Sequence, residues 1–376
     1  MTLFIFILIL SFLVIIHEFG HFITARKFGI PVEEFGIGYP PKLIRFYTDK
    51  HGTDYTLNWL PFGGFVRLYG EEEGAPSKAE KKGTPFYKKS KKIRLAVIVA
   101  GAVVNFIFGA VAFGIIYTKT GIPEPFGHIR VDEVAQGSPA QEAGLVPGDI
   151  IVGSNNDKLT NINDFLLTVS ESTGQTILLS LEGKEPVETY VRTQEETPQD
   201  QGALGVTISD TDFVHYPFWQ MPFRGMWVGL KSAVTFGIFL LGAIGGIFAQ
   251  LFRTGALPEG VAGPVGIVHL ATQENLLTSG FLSTLNFAAI LSINLAIVNI
   301  LPFPALDGGR ALFIFIEKAI GRKLKPKLEY WANMSGMALL LTLIIAISIR
   351  DVKTVIADES VRTWWQGIFS RLTGLF

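Results

Sequence analysis

Residues 2–25 are almost continuously apolar, yet this run ends on His17, Glu18 and His21. At about 1.5 Å per residue, a helix of this length spans the roughly 30 Å hydrocarbon core of a bilayer. No basic stretch precedes it and it is longer than a signal-peptide core, so it reads as a lasting span. Residues at i and i+4 share one helix face, so His17 and His21 stand one turn apart and can grip a single metal ion. Glu18 then sits beside the metal, able to take a proton from a bound water. So short a pattern also arises by chance on surface helices. Ionisable groups at the end of an apolar span are costly and favour function over chance.

Further apolar runs cover 93–117, 281–301 and 334–349, and a Gly-rich one covers 226–252. Across the 376 residues, 48% are hydrophobic and 17% charged, too apolar for a disordered chain and too poor in charge for an ordinary soluble enzyme. A net charge of -1 carries no nucleic-acid signature, and no nucleic-acid partner is expected. With no cysteine, the chain has no disulfide, no thiol nucleophile and no thiolate metal ligand, so any metal must be held by carboxylates and the six histidines.

Charge sets the orientation. Residues 26–92 carry 13 Lys/Arg against 8 Asp/Glu, and 306–332 carry 6 against 3, whereas 119–224 carry 6 against 16. Basic loops stay in the cytoplasm, which puts 26–92 and 306–332 inside and the acidic middle segment outside. If 226–252 crossed fully, 306–332 would fall outside. An interfacial, amphipathic or re-entrant segment there restores agreement and leaves about four spans. Hydropathy alone also permits a fifth transmembrane helix.

Two histidines leave zinc under-coordinated, because a catalytic site uses three protein ligands and an open position. His51, His128, His215 and His269 lie outside the firm spans. The carboxylate candidate is Asp307, which follows the third span and the breaking residues Pro302 and Pro304. A helix end with a capping Asp accounts for the same residues. In the four-span arrangement, His17, His21 and Asp307 all fall near the cytoplasmic side. In the five-span arrangement Asp307 lies a bilayer thickness away.

HEFGH at 17–21, PFGGFVRLYGE at 61–71, GPVGI at 263–267 and NILPFPALDGG at 299–309 together resemble the site-2 protease family of intramembrane zinc metalloproteases, bacterial type with a PDZ domain. The resemblance implies that His17, His21 and Asp307 bind Zn2+, that Glu18 is the catalytic base and that Asn299 helps hold unwound substrate. Gly101-Ala-Val-Val-Asn105 departs from it, since the family usually places a proline after the glycine.

The implied fold is a polytopic α-helical membrane protein of about four transmembrane helices and one re-entrant β-hairpin, with an inserted extracytoplasmic, β-rich PDZ domain. The expected domains are 1–118, the N-terminal membrane part; 119–210, the PDZ domain; 211–282, a connecting segment; 283–350, the C-terminal membrane part; and 351–376, an interfacial tail with Trp364 and Trp365. In the middle domain, residues 137–152 read as turn, short helix, Gly cap and strand. Asp157-Lys158 suits a tight turn, and 177–181 and 188–192 alternate as strands. Such a domain binds an extended chain by strand addition, or screens the entrance by size. Residues 57–69 suggest a hairpin with a Gly pair at its bend. A protease must read an extended backbone, so Gly63, Gly64, Phe65 and Val66 are candidate substrate-binding residues on its open edge.

The expected activity is hydrolysis within transmembrane segments of single-pass proteins already shortened by another protease. The expected location is the bacterial cytoplasmic membrane, with the lipid bilayer as the standing partner. Regulated intramembrane proteolysis, by anti-sigma-factor release or clearance of remnant signal peptides, is the expected output. A proton or ion transporter and a non-catalytic PDZ-bearing scaffold are the alternative classes.

Overall fold

A computed structural model describes residues 2–71, 83–155, 157–159, 161–198, 201–254 and 262–357. Trp364 and Trp365, and the basic residues Lys78, Lys81 and Lys82, lie outside the described residues. The chain divides into two compact units, Met1–Ile116 with Met226–Phe376, and Tyr117–Gly225.

In chain order the elements are α1 (Thr2–Lys27), β1 (Val32–Thr48), β2 (Asp54–Leu68), α2 (Lys91–Thr120), β3 (Ile122–Val134), α3 (Pro139–Glu142), β4 (Ile150–Ser154) and β5 (Asp157–Lys158). They continue with α4 (Ile162–Glu171), β6 (Thr176–Leu181), β7 (Val187–Tyr190), β8 (Val206–Val214), α5 (Met221–Thr254), α6 (Pro264–Gln273), α7 (Phe281–Ile300), α8 (Asp307–Ile320) and α9 (Pro326–Ala357).

The first unit is built on α1, α2 and α7. Early residues of α1 and α7 meet, with the Phe6 and Phe287 rings 6.2 Å apart, and late ones meet too, with Asn299 3.4 Å from His17. These two helices therefore run the same way. The opposite direction of α2 follows from Phe12 packing on Phe108 and Gly20 on Ala100. Ser292 of α7 donates to the Asn105 carbonyl of α2 at 2.8 Å, closing the trio. At the far end of the chain, α9 starts beside the 301–306 turn, where Asn333 accepts from the Ala305 amide. It ends where Asp351 accepts from the amides of Gly263 and Gly266 at the start of α6.

Five described helices are long and apolar enough to cross a membrane: α1, α2, α5, α7 and α9. Only 11% of the apolar window of α5 and 6% of that of α9 are buried. Apolar surface on that scale is stable against lipid, not water. This is a membrane protein.

Residues 226–252, expected as an interfacial, amphipathic or re-entrant segment, lie within one unbroken 34-residue helix, α5, so the chain does not turn back inside them. No proline interrupts it after Pro222. In apolar surroundings an unpaired backbone group costs several kcal/mol, more than the ~1 kcal/mol of each helical glycine.

The 57–69 segment is not a hairpin by itself. β1 and β2 are two long strands, each bent by a glycine in the left-handed region, Gly38 (φ +77°) and Gly63 (φ +69°). The bends fold them into one curled sheet. Residues 34–37 pair with 54–57 on one side and with 64–67 on the other, while 42–48 pair back onto 54–58. Among the described residues no further strand pairs with 64–68, so this stretch is an edge.

The second unit carries an antiparallel sheet in the order β7-β6-β4-β3-β8, with β5 paired to β4. Ile129, Val131, Ile151, Ile177, Leu179 and Val191 bury its inner face, and Phe165 of α4 covers them. Ser138 caps α3, with Pro139 next, and Asn161 caps α4. Asp157-Lys158 is strand β5 and not the turn itself, which falls earlier, at Asn155 (φ 48°).

Candidate metal centre

The apolar sequence of α1 makes it helical, and its 3.6-residue period puts His17 and His21 on the face that meets α2 and α7. Leu13 and His17 are buried there, at 0% and 6% exposure. Asp307 arrives from 290 residues further along. α7 ends at Ile300, Pro302 and Pro304 prevent its continuation, and α8 opens on Asp307. The turn between them is tight. A Cβ on Gly308 would lie 2.1 Å from the Leu301 carbonyl oxygen, and one on Gly309 2.2 Å from that of Phe303. The Asp-Gly-Gly sequence is what lets Asp307 reach this depth.

The three side chains converge. His17 Nε2 is 3.0 Å from Asp307 Oδ2, His21 Nε2 is 3.2 Å from the same oxygen, and the two Nε2 atoms are 3.2 Å apart. Among the described residues this is the group of His, Asp and Glu whose ligand atoms gather closely enough to hold a metal ion. His21 Nδ1 donates to the Val97 carbonyl at 2.8 Å, which leaves its Nε2 bare. With neutral imidazoles, at most one proton is then available for three short polar contacts, so the donor set asks for a cation at its middle. Ligands held about 2.0–2.2 Å from a tetrahedral zinc stand roughly 3.3–3.6 Å apart, a few tenths of an ångström wider than the edges observed. The residues fit Zn2+.

Around this triangle, the Asn299 amide nitrogen lies 3.4 Å from His17 Nε2. Glu18 follows His17, and Gly64 of the edge stretch packs against it, since a Cβ at Gly64 would be 3.9 Å from Glu18 Cγ. The Gly63 amide donates to the Ser11 hydroxyl at 3.4 Å, pinning the bend to α1. Phe65 and Val66 pair with Gly36 and Phe35, and the Phe65 ring lies over Gly36. Every site residue singled out in the sequence is thus at the triangle or on the strand edge beside it.

Sequence reasoning missed the role of α2. A Cβ on Gly101 would fall 2.6 Å from His21 Nε2 and 2.7 Å from His17 Cε1, so only glycine lets α2 lie this close to the two histidine rings. A glycine within an otherwise apolar span was the available signal. An ion pair between Arg310, three residues after Asp307, and Glu71, at the end of the 61–71 motif, was also not foreseen. It ties α8 to the end of β2.

Comparison with known proteins gives the same picture. Residues 5–343 match the model of peptidase family M50. A Clostridium acetobutylicum protein named provisionally as a zinc metalloprotease is 31% identical over 92% of this chain and 96% of its own length. One of the same name from Agrobacterium fabrum is 31% identical over 93% and 95%. A chloroplastic Arabidopsis thaliana protein, named provisionally as a membrane metalloprotease, is 31% identical over 91% of this chain and 78% of its own length. On this family match and these relatives, the chain belongs to peptidase family M50, the site-2 protease family of zinc metalloproteases.

Proposed function

We propose that this protein is an intramembrane endopeptidase that hydrolyses peptide bonds within transmembrane segments of single-pass proteins. One observation carries the reading: His17, His21 and Asp307 meet within 3.2 Å between apolar helices, with Glu18 and an unpaired strand edge beside them. Zn2+ held by these three supplies a Lewis acid that polarises the scissile carbonyl and acidifies a water. Glu18 takes the proton of the attacking water and delivers it to the leaving amine as the C–N bond breaks. A helix hides its carbonyls in its own hydrogen bonds, so the substrate must unwind to be cut. Gly63, Gly64, Phe65 and Val66 offer it a strand edge, and Asn299 an amide, to replace those bonds.

Topology supports the same site. Parallel α1 and α7 bring His17 and Asp307 to one depth, and the basic segments 26–92, which follows α1, and 306–332, which contains α8, favour a depth near the cytoplasm. After α2 returns outward, the chain must cross an even number of times before α7 begins. α6 has 10 residues, about 15 Å, too short to accompany α5 as a second crossing. Among the described residues no other helix supplies that second crossing, so α5, which meets α2 at Gly229 and α7 at Gly237, adds no span, which leaves four. The acidic unit Tyr117–Gly225 is then extracytoplasmic, a PDZ-type module that favours substrates already trimmed by another protease. The setting is the bacterial cytoplasmic membrane, and the output is regulated intramembrane proteolysis or removal of remnant signal peptides.

The test is cleavage of a truncated single-span reporter in membranes by wild type and by Glu18→Gln. Gln is nearly isosteric but cannot serve as base. Abolished cleavage with zinc retained supports the reading; equal cleavage by both, or none by wild type across a panel of single-span reporters, refutes it.

A further inference from the structure

His21 and His17 are treated differently by their surroundings. The Nδ1 of His21 has the Val97 carbonyl, whereas the Nδ1 of His17 is buried with no hydrogen-bond partner. A metal-bound histidine almost always gives its second ring N–H to an acceptor, which fixes tautomer and ring orientation. Asn105 of α2 is fully buried, at 0% exposure, and neither Oδ1 nor Nδ2 of its carboxamide has a partner. Its backbone carbonyl is the atom that Ser292 engages, so the side chain is left over.

Helix geometry inclines these two side chains toward each other. Side chains on a helix tilt toward its N-terminus. Because α1 and α2 are antiparallel, His17 leans toward the level of Leu13, and Asn105 leans back toward Gly101. A Cβ at Gly101 would lie 2.7 Å from His17 Cε1, and glycine has no such atom to stand between them. Asn105 follows Gly101 by one turn on the same face, about 6 Å along the axis. A buried water needs two to four polar partners. His17 Nδ1, Asn105 Oδ1 and Asn105 Nδ2 supply three.

We propose that Asn105 is the positioning residue for His17: through one bridging water its carboxamide accepts from His17 Nδ1–H and so aims Nε2 into the metal triangle. This rests on the reading of His17 as a metal ligand. The test titrates the full-length chain in detergent with a competing zinc chelator, and records the visible spectrum after loading with Co2+. Asn105→Leu, which keeps the volume but removes the polar atoms, is expected to weaken zinc binding by about 10- to 100-fold and to shift the cobalt bands. Asn105→Asp, which restores an acceptor, should bind zinc at least as tightly as wild type. Ser292→Ala, which removes the α2–α7 hydrogen bond, should leave both readouts unchanged. Wild-type affinity and cobalt spectrum in Asn105→Leu would overturn the inference. So would an Asp variant as weak as the Leu variant, because packing alone would then explain the loss. If Asn105→Leu does not fold, the Asp variant decides alone: tight zinc supports the assignment and weak zinc overturns it. A wild-type chain that binds no zinc would instead overturn the underlying metal reading.

Discussion

Gly101→Ala adds one methyl group where α2 meets the two histidine rings. Its carbon would lie 2.6 Å from His21 Nε2 and 2.7 Å from both Cε1 and Nε2 of His17. An ordinary contact is about 3.5–4.0 Å, so rings and helix must part by roughly 0.9 Å. α7 holds α2 close on an adjacent face: a Cβ at Gly109 would be 2.5 Å from Ile293, and Ser292 is bonded to the Asn105 carbonyl. With α2 so held, part of the displacement falls on the rings, although metal–ligand distances tolerate only about 0.2 Å. A displacement near 1 Å at a reacting centre costs on the order of 100-fold in rate. Reporter cleavage in membranes should fall by that factor, and bound zinc, counted after dialysis, should fall with it. Ala at Gly242 of α5, where a Cβ meets nothing within 4 Å, is the matched control and should leave both unchanged. Alanine is favoured over glycine in a helix by about 0.5–1 kcal/mol, so thermal unfolding separates a misplaced ring from a weakened fold. Wild-type cleavage and zinc content in Gly101→Ala would refute the claim that α2 closes the site.

Two further perturbations test what holds the helices in place. Arg94 of α2 pairs with Glu317 of α8 at 2.9 Å, with side chains only 11% and 5% exposed. Arg94→Met should therefore destabilise the full chain by about 3–5 kcal/mol, and adding Glu317→Leu should recover most of it; equal losses in the single and double variants would contradict this. Asp351→Ala removes the acceptor for the Gly263 and Gly266 amides at the start of α6 and should cost about 1–2 kcal/mol in thermal unfolding, with Asp351→Asn losing less.

What the sequence made legible was local or periodic. A four-residue spacing placed His17 and His21 on one face, and unbroken apolar runs marked α1, α2 and α7. Pro302, Pro304 and the Gly pair at 308–309 marked a break that carries Asp307. The charge of the loops even matched the meeting of Asp307 with the histidines. What stayed hidden depends on neighbours distant in the chain. Gly101 stood out in the sequence only for the proline missing after it, and its packing role appears when α1 lies against it. The sense of 57–69 was misjudged because its partner lies in 32–48, and the glycine bends at 38 and 63 let one strand pair on both sides. The GPVGI motif gains a physical reason only from Asp351, 85 residues beyond Gly266. α5 was ambiguous because hydropathy records that a segment is apolar, not whether the chain around it returns to the same side.

The central claim is that ligands from both ends of the chain hold one zinc ion. X-ray absorption at the zinc edge of the purified full-length protein tests it directly. The account predicts one zinc per chain, a first shell of nitrogen and oxygen at about 2.0–2.2 Å with the scattering signature of two imidazoles, and loss of the ion in His21→Ala and in Asp307→Ala. A chain without zinc, a shell without imidazole, or an unchanged shell in Asp307→Ala would contradict it.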